Sequence, residues 1–363
     1  MKNQSNDINF LRIVEDLVYD KGLSKEKVLA VICEAVANIY QQKYPGDVFI
    51  VTVDSAKAGS LLVYRKIDES DCCSKESFSV KSPCCFKPFD KPLTRRDIVS
   101  SKDFISLAIK RLEQENIYNV YKDRVGELIT GTISKVEESG FIVNLGDTIA
   151  FLPKSLSGKN ASFAAGSMVK ALIKTVLSFA ERGHQITLDR STSNFVVKLF
   201  AIEVPEVFEG LIEIVAADRI PGFKTKMIVK AKAKNIDPVG SCIGIGGCRI
   251  KPIRLELGNE IVDIIAWNED KEILIKKVIA SSKVSKEVSI EDPEEWISKV
   301  SILPHKKDLQ LSDAGYVDGD IRQIAIVHVR PGKKAFFVGK EGSNIKLTSK
   351  LLNMKIDVVE DSQ

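Results

Sequence analysis

The sequence predicts a multidomain α+β protein, on three observations. Apolar residues keep helical spacing over 8–44 and 101–121, and the period becomes two between Val125 and Arg190. Beyond that, helical and alternating stretches interleave around a Gly-x-x-Gly element that occurs twice, at Gly244–Gly247 and Gly339–Gly342. A chain of 363 residues has room for two to four units of this kind.

The first stretch reads as helices over 8–44. Leu11, Ile13, Val14, Leu17 and Val18 keep a helical stripe, and a second helix starts after Ser24 as N-cap, with Glu26 in its first turn. "DVFIVTVDSAKAGSLLVYRKI" alternates as a hairpin, and Asp68–Thr94 has no clear period and reads as a loop or insertion. Ser101–Tyr121 returns to helix, with Phe104, Leu107, Ile109 and Leu112 on its apolar side. These elements make a helix–hairpin domain over 1–124.

Val125 to Arg190 holds five short strands with glycine-bearing turns, which suits an OB-type β-barrel over 125–192. Phe141 and Phe151 lie on its second and third strands, on the face where such barrels stack bases. A small barrel also needs large interior residues, and both phenylalanines satisfy that reading equally.

From Asn194, "FVVKLFAIEVPEVFEGLIEIVAA" reads as helical on either side of Pro205, and "KTKMIVKAKAK" as a strand. Alternation puts Lys224, Lys226, Lys230, Lys232 and Lys234 on one face, a lysine stripe that is either a nucleic-acid surface or a solubilising edge. No acid interrupts it between Ile220 and Ile236.

The glycines that follow are not a nucleotide pocket. A dinucleotide fingerprint needs a third glycine that is missing here, and a Walker loop needs a Gly-Lys-Ser/Thr that is absent. What remains is Gly244-Ile245-Gly246-Gly247 between two short helices, with a strand before and a strand, "EIVDIIAW", after. That is the order of a KH domain, whose turn clamps the backbone of about four single-stranded nucleotides. The pattern returns at Gly339-Lys340-Glu341-Gly342 at a constant offset of 95, with Ile345-Lys346 matching Ile250-Lys251. Two KH domains of the prokaryotic (type II) kind follow, over 193–282 and 283–363. Their candidate RNA contacts are the eight turn residues, Arg249, Lys251, Lys346 and the lysines at 230, 232 and 234.

Composition is that of an ordinary globular chain, 44% hydrophobic and 28% charged, and the net charge of +4 requires any nucleic-acid footprint to be local. "MKNQSNDINFLRIVEDL" lacks a signal peptide's apolar stretch, and no segment reaches the ~18–20 apolar residues of a membrane span. A cytoplasmic protein with no membrane partner is expected. Seven cysteines in no disulfide spacing fit a reducing compartment. Cys72-Cys73 and Cys84-Cys85 read as free thiols in a surface insertion, since adjacent cysteines chelate zinc poorly.

An OB barrel followed by two KH units, behind a helix–hairpin unit, resembles the NusA family of bacterial transcription elongation factors. "LFAIEVPEVFEGLIEIVAADRIPG", "NIDPVGSCIG", "GELITGTISKVE" and "GSNIKLTSKLL" carry the resemblance over nearly the whole chain. It implies a monomeric, non-catalytic factor without cofactor or metal. Residues 1–124 would hold core RNA polymerase, and the barrel and KH units would hold nascent single-stranded RNA, modulating pausing, termination and antitermination alongside other antitermination factors. It also implies RNA contacts at His184 and Arg190, on either side of the last barrel strand, where a lone surface histidine is the plainer account of His184. Three departures stand out. Asp68–Lys91 fits the family poorly. Ile245-Gly246 stand where a basic residue is common, and Glu341 offsets Lys340 in the second turn. Acidic C-terminal repeats are missing, so RNA binding needing no unmasking is expected.

Two alternatives use the same modules. A ribosome-assembly or translation factor would differ in its N-terminal partner. A non-catalytic part of an RNA-degrading complex is disfavoured by domain order, since those enzymes place KH before the barrel. An enzyme reading finds no support in His184, His305 and His328, none of which has a metal-binding spacing, nor in Glu291–Glu295, a helix-start charge cluster.

Overall fold

The computed structural model describes residues 19, 23–53, 61–66, 86–89, 91, 95–158, 162–180, 183–281, 292–304 and 323–361. The expected helix at 8–18, the paired cysteines at 72–73 and 84–85, and His305 lie outside them. The chain divides into two units, Met1–Arg124 with Val176–Gln185, and Val125–Thr175 with Ile186–Gln363.

In the first unit, helix α1 (Lys25–Lys43) starts where Ser24 predicts, although the Ser24 side chain makes no capping bond. Val28, Ile32, Val36 and Tyr40 recur every four residues and are buried, one stripe facing the core. Strands β1 (Phe49–Val53) and β2 (Leu61–Lys66) form the expected antiparallel hairpin, with Phe49 opposite Arg65, and β3 (Phe86–Pro88) extends it. Tyr40, Tyr44, Phe49 and Phe89 pack edge-on or tilted between sheet and helix. Helix α2 (Arg95–Tyr121) adds Ile109 and Leu112 to this core. Segment 176–185 is tied to α2 by reciprocal amides: Gln114 Nε2 donates to Ala180 O at 2.8 Å, and Gln185 Nε2 to Gln114 O at 2.6 Å.

The second unit opens with a closed barrel of β4 (Leu128–Val136), β5 (Gly140–Asn144), β6 (Ile149–Pro153), β7 (Met168–Val176) and β8 (Ile186–Asp189), in the order β4-β5-β6-β8-β7. Closure uses antiparallel β4–β7 pairing and a parallel β6–β8 contact. Alternation fills the interior with Ile133, Val143, Leu152, Val169 and Leu188.

Two repeats of one plan follow. The first comprises α3 (Ser193–Glu203), α4 (Pro205–Phe208), β9 (Ile212–Ile220), β10 (Lys224–Ala231), α5 (Pro238–Ile243), α6 (Ile250–Glu256) and β11 (Ile261–Ala266). Its sheet runs β11-β10-β9, with β10 antiparallel to β9 and parallel to β11. The second comprises α7 (Lys271–Ala280), β12 (Ile297–Pro304), β13 (Gln323–Val329), α8 (Lys334–Val338), α9 (Ser343–Leu352) and β14 (Lys355–Glu360). Its sheet repeats the pattern, β13 being antiparallel to β12 and parallel to β14. In each repeat the parallel pair is joined by the helix–turn–helix crossover that carries the glycines.

Two elements differ from the sequence reading. Strand β3 falls within the Asp68–Thr94 stretch read as loop, because Phe86–Pro88 pair with Tyr64–Lys66. "LIEIVAADRI" after Pro205 is not helix but strand β9. Gly210, at φ +71°, breaks α4, and Ile212 pairs with Ala231 to bury its side chain in the sheet core. A short apolar run fits either period, and pairing with β10 decides it.

The first core joins Phe195, Leu199 and Phe200 to Met227, Val229 and Ile253. The second joins Ile275 and Ile279 of α7 to Val327, Phe337 and Val358. A third cluster lies on the other face of the first sheet: Ile228 and Ile265 pack on Leu274 and Val278 of α7 and Leu351 of α9. Helix α7, which a boundary at 282 assigns to the first repeat, therefore gives one stripe to each sheet.

Candidate nucleic-acid interface

Both glycine turns are built alike. Asp237 caps α5 by accepting from Val239 N at 3.1 Å, with Pro238 in the first helical position. Gly244 then leaves the helix at φ +75°, ψ 163°, and Gly246 turns left-handed at φ +62°, ψ 16°. In the second repeat Gly339 has φ +72°, ψ 171°, and Glu341 has φ +55°, ψ 27°. Gly247 and Gly342 match at φ +77° and +71°.

The glycines serve different ends. A Cβ on Gly244 would meet Cys248 Sγ at 2.8 Å and Arg249 Cγ at 2.9 Å; one on Gly339 would meet Asn344 Cβ at 2.9 Å. These first glycines let the following helix close onto the turn. A Cβ on Gly246 meets nothing within 4 Å, so that position is open to a ligand. Ile245 at the tip is 96% exposed. In each turn the fourth residue's N–H donates back to the first residue's carbonyl, Gly247 N to Gly244 O at 2.9 Å and Gly342 N to Gly339 O at 3.1 Å, which closes a tight turn of the kind that receives a phosphate backbone.

The candidate cations divide into two groups. Lys251, Lys340 and Lys346 are exposed in or just after the turns, and Lys230, Lys232 and Lys234 are exposed at the end of β10 and beyond it. Lys230 Nζ lies 5.5 Å from the Trp267 ring centroid. Glu341 is exposed beside Lys340. Arg249 is occupied: its Nη1 pairs with Glu206 Oε2 at 2.8 Å and donates to Ser241 O at 2.7 Å. Those bonds tie the first turn to α4.

The lysine stripe is also divided. Lys224 and Lys226 share the alternating face with Lys230, but α7 and α9 cover that face at their end of the strand. Lys224 pairs with Asp263 at 2.7 Å. Lys226 is fully buried; its Nζ donates to Val278 O and lies 3.5 Å from Thr348 Oγ1. Burial above all, with the Lys224 charge beside it and Asp263 opposing, brings the Lys226 pKa down to about 7.

The barrel residues separate likewise. Phe141 pairs with Leu152 across β5–β6 and is buried inside, its ring edge-on to Phe163 at 5.3 Å. That removes it from any stacking face. Phe151 pairs with Ile142 on the opposite, outward face, its ring lying across Gly140. Arg190 is 3% exposed. Its Nη1 bonds Glu256 Oε1 at 2.7 Å and also donates to Lys170 O, while Nη2 donates to Glu256 O at 2.7 Å. The rings of Phe163 and Phe195 lie 5.0 and 4.8 Å from its guanidinium. Desolvation lowers its pKa, with the Glu256 interactions opposing. Arg190 thus joins barrel to first repeat and is withdrawn from RNA contact. His184 is half-buried and falls in the unit that holds α2.

Sequence reasoning passed over Asn344 and the buried Arg219–Glu260 pair. Arg219 Nη2 meets Glu260 Oε2 at 2.9 Å, and Gly222 N and Thr225 Oγ1 donate to the same carboxylate. The offset of 95 aligns Asn344 with Arg249 and was the available signal for the first; the second joins residues 41 apart with no motif.

Comparison with known proteins agrees with this arrangement. The model of a NusA-like first KH domain matches residues 190–267, and that of a NusA-like second KH domain matches 316–363. The transcription termination/antitermination protein NusA of Rickettsia conorii is 29% identical, over 100% of this chain and 69% of its own length. The protein of that name from Thermus thermophilus is 29% identical over 84% of this chain and 85% of its own, and that from Halalkalibacterium halodurans 28% over 98% and 88%. Both KH models are matched in order behind a closed barrel, and similarity to NusA proteins runs the length of the sequence.

Proposed function

We propose that this chain is a transcription termination/antitermination factor that binds nascent single-stranded RNA and RNA polymerase and catalyses no reaction. The observation that carries the RNA half is the pair of turns with matching left-handed backbones, each open at its third position or exposed there. Lys251, Lys340 and Lys346 supply positive charge at those turns, with Lys230, Lys232 and Lys234 beside the first. Phe151 is the remaining barrel candidate for base contact. The helix–hairpin unit is the proposed polymerase-holding part.

The decisive test uses the full chain carrying Gly246→Asp and Gly342→Asp together. Each aspartate adds a side chain and a negative charge where a phosphate would approach, so affinity for unstructured RNA should fall at least about tenfold. An unchanged affinity would refute the RNA reading. Pull-down of core polymerase by the full chain, lost on deletion of 1–124, tests the other half; recovery of ribosomes instead would favour a translation-associated role.

A further inference from the structure

The C-terminal end of α7 presents two successive carbonyls to two different repeats. Val278 O receives Lys226 Nζ from the central strand of the first repeat. Ile279 O receives Asn344 Nδ2 from the second repeat at 3.0 Å, and the same amide nitrogen donates to Phe337 O at 2.8 Å. Asn344 stands two residues past the second turn and packs under Gly339, where an added Cβ would touch it. All of these groups are buried.

Helix ends leave carbonyls without intrahelical partners, and a cation or an N–H donor placed there is favoured by the helix dipole as well. Here Val278 O takes Lys226 Nζ from the first repeat beside the local Ser281 Oγ at 2.8 Å, and Ile279 O takes Asn344 Nδ2 from the second. Leu274 and Val278 pack on the first sheet while Ile275 and Ile279 fill the second core, so the same turn is gripped by apolar contact on both sides. Lys226 is too deeply enclosed to meet a nucleic acid, and Asn344 carries no charge. Neither residue has a role in contacting phosphate, yet both are polar groups held in the interior by specific acceptors.

We propose that the last turn of α7 is a clasp that fixes the spacing of the two glycine turns, with Lys226 and Asn344 as its positioning residues. One single strand of RNA would then meet both turns in a set register. This rests on the RNA reading above. A rigid pair of sites gains avidity only when a ligand is long enough to span them, and gains it abruptly at that length; a loosely joined pair gains less, and gradually.

The test measures full-chain affinity for oligoadenylates from about 5 to about 16 nucleotides, one KH turn holding about four. In the native chain, affinity should step up by roughly 100-fold at one length. Lys226→Met should leave the shortest oligomers unaffected and reduce the step by at least about tenfold. Lys226→Gln, which keeps an N–H donor, should preserve more of it. An undiminished step in Lys226→Met, or a native chain that binds short oligomers with no step at all, would overturn the clasp.

A readout without RNA separates the clasp from the RNA reading. Spin labels on a ketone-bearing residue placed at exposed Lys251 and Lys346 report the distance between the turns and avoid the native cysteines. A narrow native distribution that broadens in Lys226→Met supports the clasp even if no oligomer binds. Equal widths in a folded Lys226→Met variant overturn it whatever the RNA result.

Discussion

Arg249 and Asn344 stand at matching positions of the two repeats and do matching work with different chemistry. Arg249 ties the first turn to Glu206 on α4, and Asn344 ties the second to the Ile279 carbonyl at the end of α7. Each also bonds a carbonyl near the end of the helix just before its turn, Ser241 O and Phe337 O. In both repeats the helical element leading into the sheet is thereby fixed to the glycine turn. Replacing Arg249 with Met should loosen the first turn without removing a phosphate contact. RNA affinity would fall while its salt slope stayed the same; a slope shallower by about one would mean that the guanidinium meets phosphate.

The first position of each turn should tolerate an added methyl less well than the third position of the first turn. Gly244→Ala or Gly339→Ala forces a methyl against the next helix in a left-handed backbone, at a cost of about 2–4 kcal/mol read by chemical denaturation. Gly246→Ala meets no neighbour and should cost only the backbone penalty, about 1–2 kcal/mol. Equal losses at 244 and 246 would contradict the crowding assigned to the first glycine.

Glu341 occupies a left-handed conformation that its counterpart, Gly246, adopts without strain. Glu341→Gly should stabilise the chain by about 1 kcal/mol and tighten RNA binding, since it also removes a negative charge beside Lys340. Denaturation and anisotropy measured on the same variant check both effects. Weaker RNA binding would show that the carboxylate helps hold the ligand.

Lys226 makes stability depend on pH in a definite direction. Unfolded, it keeps its proton to about pH 10.5; folded, it releases it near pH 7. Between these values the unfolded chain binds more protons, so stability gains as pH rises through the window. Below pH 7 both states are charged and the full burial cost is felt. The stability of the native chain relative to Lys226→Met should therefore increase by about 2 kcal/mol from pH 7 to 9. A difference that is flat or falls over that range would contradict a buried, easily neutralised lysine.

Arg190 predicts a structural phenotype. Arg190→Met strands the Glu256 carboxylate and two carbonyls, and should destabilise the second unit by about 3 kcal/mol while leaving the salt slope of RNA binding unchanged.

Much of this architecture is legible in the residues. Five alternating runs predict five strands, and the offset of 95 predicts two turns whose dihedral angles agree to within about twelve degrees. What stayed hidden depends on partners far along the chain. Alternation correctly puts Lys224 and Lys226 on one face with Lys230, but only Val278 and Thr348 reveal that half of that face is covered. Phe141 and Phe151 look equivalent until the register pairs Phe141 with Leu152 inside and Phe151 with Ile142 outside. Arg190 reads as a surface cation because its acceptor, Glu256, is 66 positions away. Ile212 and its neighbours carry too few residues to distinguish a helix from a strand without the pairing of β9 to β10.

The cover that the second repeat lays over the first sheet bears on modularity. The two repeats look like cassettes, copied and set in series, yet the first is finished only by helices belonging to the second. A chain cut after α7 would lose Leu351 from the cluster around Ile228 and Ile265, and Thr348 from beside Lys226. A first repeat cut there would thus expose a greasy patch and a less enclosed Lys226, a surface that the full chain does not present. Affinities measured on such a fragment would report on a different molecule.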